Sequence, residues 1–299
     1  MKRHIFYIVD VFAEKRYEGN QLAVVLNAKD LSSSEMQQIA QEMNYSETTF
    51  ILSEGKQKSG YDVRIFTPKE EVPFAGHPTL GTAYIIGREI VGERIKTIEL
   101  NLKVGKIPVE LIYKEGEIDI LWMKQNPPTF GQIFNIEHIA QALNLDKSDI
   151  DENFPIQGVS TGLPFIITPL RSLKALKRAK IIRNEYFNLI KDSEAKAILL
   201  FCPETYNREN NLCVRVFADY YGVPEDPATG SANGCLAGYL SEYQYFGKKS
   251  INIRVEQGYE IDRPSLLLLR AKQAEKTIEV FVGGKVILIA KGQFVEVVS

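Results

Sequence analysis

Cysteine, histidine and tryptophan are scarce in this chain of 299 residues, which has three, three and one of them. Cys202, Cys213 and Cys235 show no CxxC spacing. That excludes a zinc ribbon or a disulfide framework and points to a reducing cytoplasm. His4, His77 and His138 have no ligand spacing, so no metal site is expected. No apolar run approaches the ~18 residues that a membrane helix needs. The short run from Ile5 to Val9 falls below the core of a signal peptide and is closed by Asp10, so a first strand over about 4–11 is expected. An excess of one charge is also lacking. Thirty-six basic residues stand against 38 acidic ones, leaving no global field for nucleic acid or an anionic membrane. No GxxxxGK[ST] is present, and no GxGxxG follows a strand. Residues 171–183 are basic without an acid, but they lack the interleaved aromatics of a single-strand nucleic-acid groove and read as a solvated helix face.

What is present is a duplicated device. His77-Pro78-Thr79-Leu80-Gly81-Thr82-Ala83 and Asp226-Pro227-Ala228-Thr229-Gly230-Ser231-Ala232 share one pattern: polar residue, Pro, two spacers, Gly, hydroxyl residue, Ala. Each follows an Arg-β-Phe triplet, Arg64-Ile65-Phe66 and Arg215-Val216-Phe217, and a Val-Pro pair, Val72-Pro73 and Val223-Pro224. The copies lie half the chain apart. A repeated strand–turn–helix unit implies two similar domains whose turns meet at a cleft.

Periodicity fills in the rest. Met36, Ile39, Ala40 and Met43 repeat at helical spacing after the N-cap at Ser32, predicting a helix over 33–43. Further helices are expected over 78–88, 136–143 and 229–243. Strands are expected at 21–26, 47–53, 61–66, 96–104, 107–113 and 117–124. In the second half they fall at 163–168, 196–202, 211–217, 251–256, 265–271, 277–282, 285–290 and 293–298. Asn126-Pro127-Pro128 is the strongest mid-chain punctuation and marks a boundary. Many strands with one long helix per half predict an α+β chain in which a curved sheet wraps a central helix, twice over. Gly230, Gly234 and Gly238 share one helix face, where glycine costs about 1 kcal/mol each. A sheet packed close against that helix would require such thinness.

Four groups could carry chemistry. Pro78 and Pro227 suit the first turn of a helix, which leaves the N–H groups of Gly76, Gly81, Gly230 and Ser231 exposed; two such helix ends make an anion site fitted to a carboxylate. Two ordinary capped helices, with Asp226 as an N-cap, is the other reading. Glu47 opens the apolar, β-branched segment Thr48-Thr49-Phe50-Ile51-Leu52, where burial raises proton affinity and suits a general acid and base; it could equally be a solvated edge-strand glutamate. His77 sits between Gly and Pro, as a site residue or in a local turn hydrogen bond. Asn20, in Glu18-Gly19-Asn20-Gln21, is a substrate-binding candidate or a turn residue.

Together these residues resemble the PhzF-like phenazine-biosynthesis family, a branch of the diaminopimelate-epimerase-like fold. The matching pieces are Asp10-Val11-Phe12, Gly19-Asn20, Ala23-Val24-Val25, Glu42-Met43-Asn44-Tyr45-Ser46-Glu47-Thr48, Arg64-Ile65-Phe66-Thr67-Pro68, Phe74-Ala75-Gly76-His77-Pro78, and 225–232. They keep the family's order and cover nearly the whole chain. Gln21 stands where the family usually has Pro. The resemblance implies two pseudo-symmetric barrel-like domains: 1–126 with a C-terminal strand at about 286–299, and 127–285. It also implies a homodimer, no cofactor, and a small anionic metabolite as substrate. Carried over by position, Glu47 would move a proton within a dihydroxyanthranilate-type ring. His77, Asp226 and Ser231 would assist, with the amides of Gly76 and Gly230. The epimerase relatives carry one cysteine in each turn; here those places hold Ala75 and Thr229, so a two-thiol racemase is not expected. The expected function is a cofactor-free isomerase of a carboxylate-bearing metabolite. The alternative is a metabolite- or partner-binding protein on the same fold without turnover.

Overall fold

A computed structural model describes residues 4–274 and 277–295. The chain divides into two compact units: Met1–Met123 with Gly283–Ser299, and Lys124–Val282. The break falls just before Asn126-Pro127-Pro128.

The first unit begins with strands β1 (Ile5–Val11) and β2 (Asn20–Val25), helix α1 (Ser33–Met43), and strands β3 (Glu47–Ile51), β4 (Tyr61–Phe66) and β5 (Glu71–Val72). Ser32 caps α1 with a full capping box to Glu35, as its sequence requires. Helix α2 (Gly76–Ile85) follows and runs into a π-helical turn, Ile86–Val91. Strands β6 (Thr97–Leu102), β7 (Gly105–Lys114) and β8 (Glu117–Lys124) complete the run. All ten residues of α2 are buried. A helix buried on every side must be enclosed, and α2 packs against β1, β2, β3, β6 and β7, so the sheet curls around it. Gly81 shows how close the approach is. A Cβ there would lie 2.6 Å from Leu22 Cδ2 and 2.9 Å from Val11 Cγ2.

The second unit has strand β9 (Thr129–Ile133), helix α3 (Ile136–Leu143), strands β10 (Gln157–Ser160) and β11 (Pro164–Pro169), helices α4 (Leu173–Arg178) and α5 (Arg183–Ile190), strands β12 (Ala197–Cys202) and β13 (Leu212–Phe217), helix α6 (Gly230–Glu242), and strands β14 (Ile251–Gln257), β15 (Ser265–Ala274) and β16 (Thr277–Gly284). Helix α6 packs against β10, β11, β14 and β15. The chain then returns to the first unit as β17 (Val286–Gln293), antiparallel to β1. One strand stands where two were expected, and 296–299 lie outside the described residues.

The duplication is visible in strand pairing. In the first unit β1–β2 is antiparallel, β2–β3 parallel, β3–β4 antiparallel, β4–β6 parallel and β6–β7 antiparallel. In the second the same series runs through β10–β11, β11–β12, β12–β13, β13–β14 and β14–β15. The central helix enters at the same step each time, α2 after β4 and α6 after β13. The repeated triplets have a shared task. Arg64 Nε and Nη2 grip Glu71 at 2.9 and 2.7 Å, and Arg215 Nε and Nη2 grip Glu225 at 2.9 and 2.7 Å. Each guanidinium also lies over the Phe two residues on, at 5.0 Å for Phe66 and 4.7 Å for Phe217. Such forks fix planar geometry, and here they pin the segments that lead into α2 and α6.

Two expectations need correcting. Gly238 is thin because of a proline, not a strand: a Cβ there would lie 2.7 Å from Pro128 Cβ. Residues 171–183 are not one solvated helix face. They form α4 and a turn whose Leu176, Lys177 and Ala179 carbonyls accept from Arg215, and Leu176 and Ala179 are fully buried. Among the described residues no helix is long and apolar enough to cross a membrane.

Candidate functional site

In the first unit, Glu47 is the first residue of β3 and lies in register with Leu22 of β2. Since β3 is hydrogen-bonded to β2 and β4, Glu47 is not on an edge strand. Its side chain is 18% exposed and that of His77 is 7% exposed, with His77 Nε2 3.3 Å from Glu47 Oε2. Asn20 is buried where β2 opens, opposite Val11. It follows Gly19 at φ 72°, where a Cβ would meet the Val11 carbonyl at 2.4 Å, so only glycine fits. Gly76 is the first residue of α2. The N-cap residue Ala75 supplies no side-chain cap, which leaves first-turn N–H groups for other partners. His77 is thus a helix residue of the first turn.

Burial pushes the pKa of His77 down, to about 3, against a hydrogen bond to the Gln21 backbone that favours the charged ring. Desolvation wins over one hydrogen bond, and the imidazole is neutral. A bond that favours the charged ring is a ring N–H donated to the carbonyl of Gln21. Proline also offers that carbonyl, which explains why Gln is tolerated there. The remaining nitrogen, Nε2, is the one that lies 3.3 Å from Glu47 Oε2. His77 should therefore stay neutral in the folded protein down to at least pH 5. Its ring carbon and nitrogen shifts in an NMR titration check this, and a midpoint near 6.5 would contradict it. The unfolded ring takes up a proton below about 6.5 and the folded one does not, so this contribution is complete above that pH and is lost as pH falls toward 3.

In the second unit, Asp226 and Thr229 precede α6. The N-cap is Thr229, not Asp226, and Thr229 donates its hydroxyl to Asp226 Oδ2. Thr229 leaves α6 without a side-chain cap, so Gly230 and Ser231 begin a helix with uncapped first-turn N–H groups, like Gly76. The turn is held by a residue that sequence reasoning did not single out. Gln257, at the end of β14, is fully buried and bonds Asp226 and Thr229. A polar residue before a glycine at a strand end was its only sequence signal.

No thiol lies in either turn. Cys202 and Cys213 face each other across β12 and β13, and Cys235 lies within α6, 3.7 Å from Thr161 Oγ1. All three are free and buried. Burial raises their pKa values, that of Cys202 to about 12 and that of Cys235 to about 11. Thiolate is the reactive form, so labelling of the native protein by a disulfide reagent should run about 100-fold or more below that of a free thiol. All three should label in guanidinium. A fast native thiol would contradict this placement. Among the described residues no three His, Cys, Asp or Glu side chains are grouped to hold a metal ion.

The PhzC-PhzF family, described as phenazine biosynthesis-like protein, matches residues 9–292. The chain belongs to this family. It is 35% identical to the trans-2,3-dihydro-3-hydroxyanthranilate isomerase of Pseudomonas fluorescens, over 98% of this chain and 99% of that one. The PhzF-family phenazine biosynthesis protein of Bacillus anthracis superposes with a TM-score of 0.90 at 28% identity, covering 99% of this chain and 100% of the other. A hydroxyproline epimerase from Agrobacterium vitis has a TM-score of 0.61 at 8% identity, covering 98% of this chain and 91% of that one, and shares the fold alone. This PhzF-like chain is an isomerase by family, on a fold shared with the epimerases.

Proposed function

We propose that the protein isomerises a small carboxylate-bearing metabolite by moving a proton through Glu47, with a trans-2,3-dihydro-3-hydroxyanthranilate-type ring as its substrate class. The observation that carries this is the buried contact of Glu47 with His77. A carboxylate set beside a neutral imidazole can take a proton from carbon, and the carboxylic acid so formed can return it elsewhere on the same molecule. Such a shift changes no oxidation state, so the proposed reaction draws on no cofactor. His77 orients Glu47 and shares its proton. The amide of Gly76 binds the carboxylate or enolate-like charge of the substrate, and Asn20 contacts the substrate. The reading extends to the second unit, where Asp226 and Ser231 contact the substrate and the amide of Gly230 binds its charge.

Incubating the protein with trans-2,3-dihydro-3-hydroxyanthranilate in D2O tests this. The expected result is conversion with a proton moved or exchanged at ring carbon, followed by mass and NMR. Binding of this compound with neither conversion nor exchange would support a binding protein instead. The proposal includes the homodimer implied by the resemblance. Light scattering should give twice the 33.8 kDa chain mass, and a monomer would remove that part.

A further inference from the structure

We propose that Gln257 is a positioning residue: it forces the Thr229 hydroxyl to donate to Asp226 and locks the turn that opens α6. The proposal rests on the reading that Asp226 acts on substrate.

The hydrogen bonds leave one arrangement. Gln257 Nε2 reaches the carbonyl of Asp226 at 2.8 Å and Thr229 Oγ1 at 3.0 Å. Gln257 Oε1 receives the backbone N–H of Thr229 at 3.2 Å and Asn233 Nδ2 at 2.9 Å. Both amide protons and the amide oxygen are in use. A flipped amide would set NH2 against two donors and the oxygen against a carbonyl, so the orientation is determined. Thr229 Oγ1 accepts from Gln257, and its single proton then has one place to go, Asp226 Oδ2. Asn233, fully buried one turn into α6, secures the far end by also donating to the Thr229 carbonyl at 3.0 Å. The chain of donors runs Asn233, Gln257, Thr229, Asp226, and it defines one carboxylate oxygen as an acceptor.

The backbone supports this placement. Successive residues of a strand face opposite ways, and Glu256 turns from Gln257 to bind the N–H groups of Tyr206 and Asn207 at 2.7 and 2.8 Å. Gly258 then takes φ 79°, and a Cβ there would lie 2.6 Å from the Pro227 carbonyl. The end of β14 thus presses on the turn itself. Among the described residues the Gln257 side chain bonds Asp226, Thr229 and Asn233, so the residue serves the turn.

The test uses Gln257→Met, which keeps the length and removes every hydrogen bond, with Thr229→Val, Thr229→Ser and the Gln257→Met/Thr229→Val double variant. Crystal structures of Gln257→Met and wild type are compared. With trans-2,3-dihydro-3-hydroxyanthranilate as the probe, kcat and KM are measured. In Gln257→Met, Thr229 Oγ1 should leave Asp226 Oδ2. The expected kcat falls about 10- to 100-fold with KM within about threefold, the pattern of a lost transition-state contact. Thr229→Val should match it, Thr229→Ser should restore most of the rate, and the double variant should be no slower than either single one, because both break one chain. An unmoved turn in Gln257→Met, or additive losses in the double variant, overturns the proposal. Should Gln257→Met fail to fold, the Thr229 pair still tests the link, since Thr229→Val removes the hydroxyl that donates to Asp226 and Thr229→Ser keeps it. Absence of turnover in wild type would sink the substrate reading instead, and the structural comparison alone would then decide whether Gln257 sets the turn.

Discussion

Glu47→Gln should lower kcat by at least ~100-fold, about 2.7 kcal/mol of barrier, while leaving substrate affinity within a few-fold. The variant keeps the size and the neutral polar contacts of the side chain and removes the group that can accept a proton from carbon. Glu47 is held by β3 between two hydrogen-bonded strands, with Oε2 3.3 Å from His77 Nε2. His77→Asn should be milder than Glu47→Gln, because His77 would act through Glu47. The measurement is steady-state turnover of trans-2,3-dihydro-3-hydroxyanthranilate together with ligand titration. A Glu47→Gln protein of normal rate would move the proton-transfer role elsewhere, with Asp226 the next candidate.

Arg215→Ala should destabilise the protein by about 3–5 kcal/mol, the range for removing one partner of a buried ion pair. Arg215 and Glu225 have side chains only 9% and 10% exposed, and the same guanidinium serves three carbonyls of α4 and its following turn. Its loss leaves Glu225 and the nearby Glu260, whose Oε2 is 4.0 Å from Arg215 Nε, buried together. Arg64→Ala, the matching change in the first unit, should cost about 1 kcal/mol. That pair is more exposed, at 24% and 15%, and Lys103 stays 2.7 Å from Glu71. Thermal melts of the two variants read the contrast directly. At roughly 2–4 °C per kcal/mol, Arg215→Ala should melt about 10 °C lower and Arg64→Ala only a few degrees lower. Equal shifts would mean that the two forks carry equal loads, against the difference in burial. Arg215→Ala should also slow turnover, because Glu225 adjoins Asp226, the proposed substrate contact.

The two copies of the device show how far a sequence carries. In both, the Arg triplet and the Pro-containing turn were legible as a repeat, and in both they place a fork and then a buried helix. The copies differ in what the turn does. In the first, His77 lies inside the helix and meets Glu47, a residue thirty positions earlier on another strand. In the second, Asp226 stays outside the helix and is tied to Thr229 and to Gln257, which comes thirty-one positions later. Spacing within the motif could not distinguish these, because the deciding partners come from other strands. The same limit applied to 171–183. Its basic residues suggested a solvated face, but the carbonyls of this stretch bind Arg215.

By itself the sequence determined the duplicated plan, two central helices expected from 78 and 229 that open at Gly76 and Gly230, and membership of a family of isomerases. Periodicity, proline placement and short motifs are local properties, and a repeat is visible without any fold. Only the tertiary structure decided that Glu47 meets His77, that Thr229 rather than Asp226 caps α6, and that Gln257 holds the turn. Each of these depends on strands far apart in the chain being paired in register. Burial then sets the chemistry: it keeps His77 neutral and the three thiols protonated. Such desolvation is a property of the packed interior and has no signature in the local sequence.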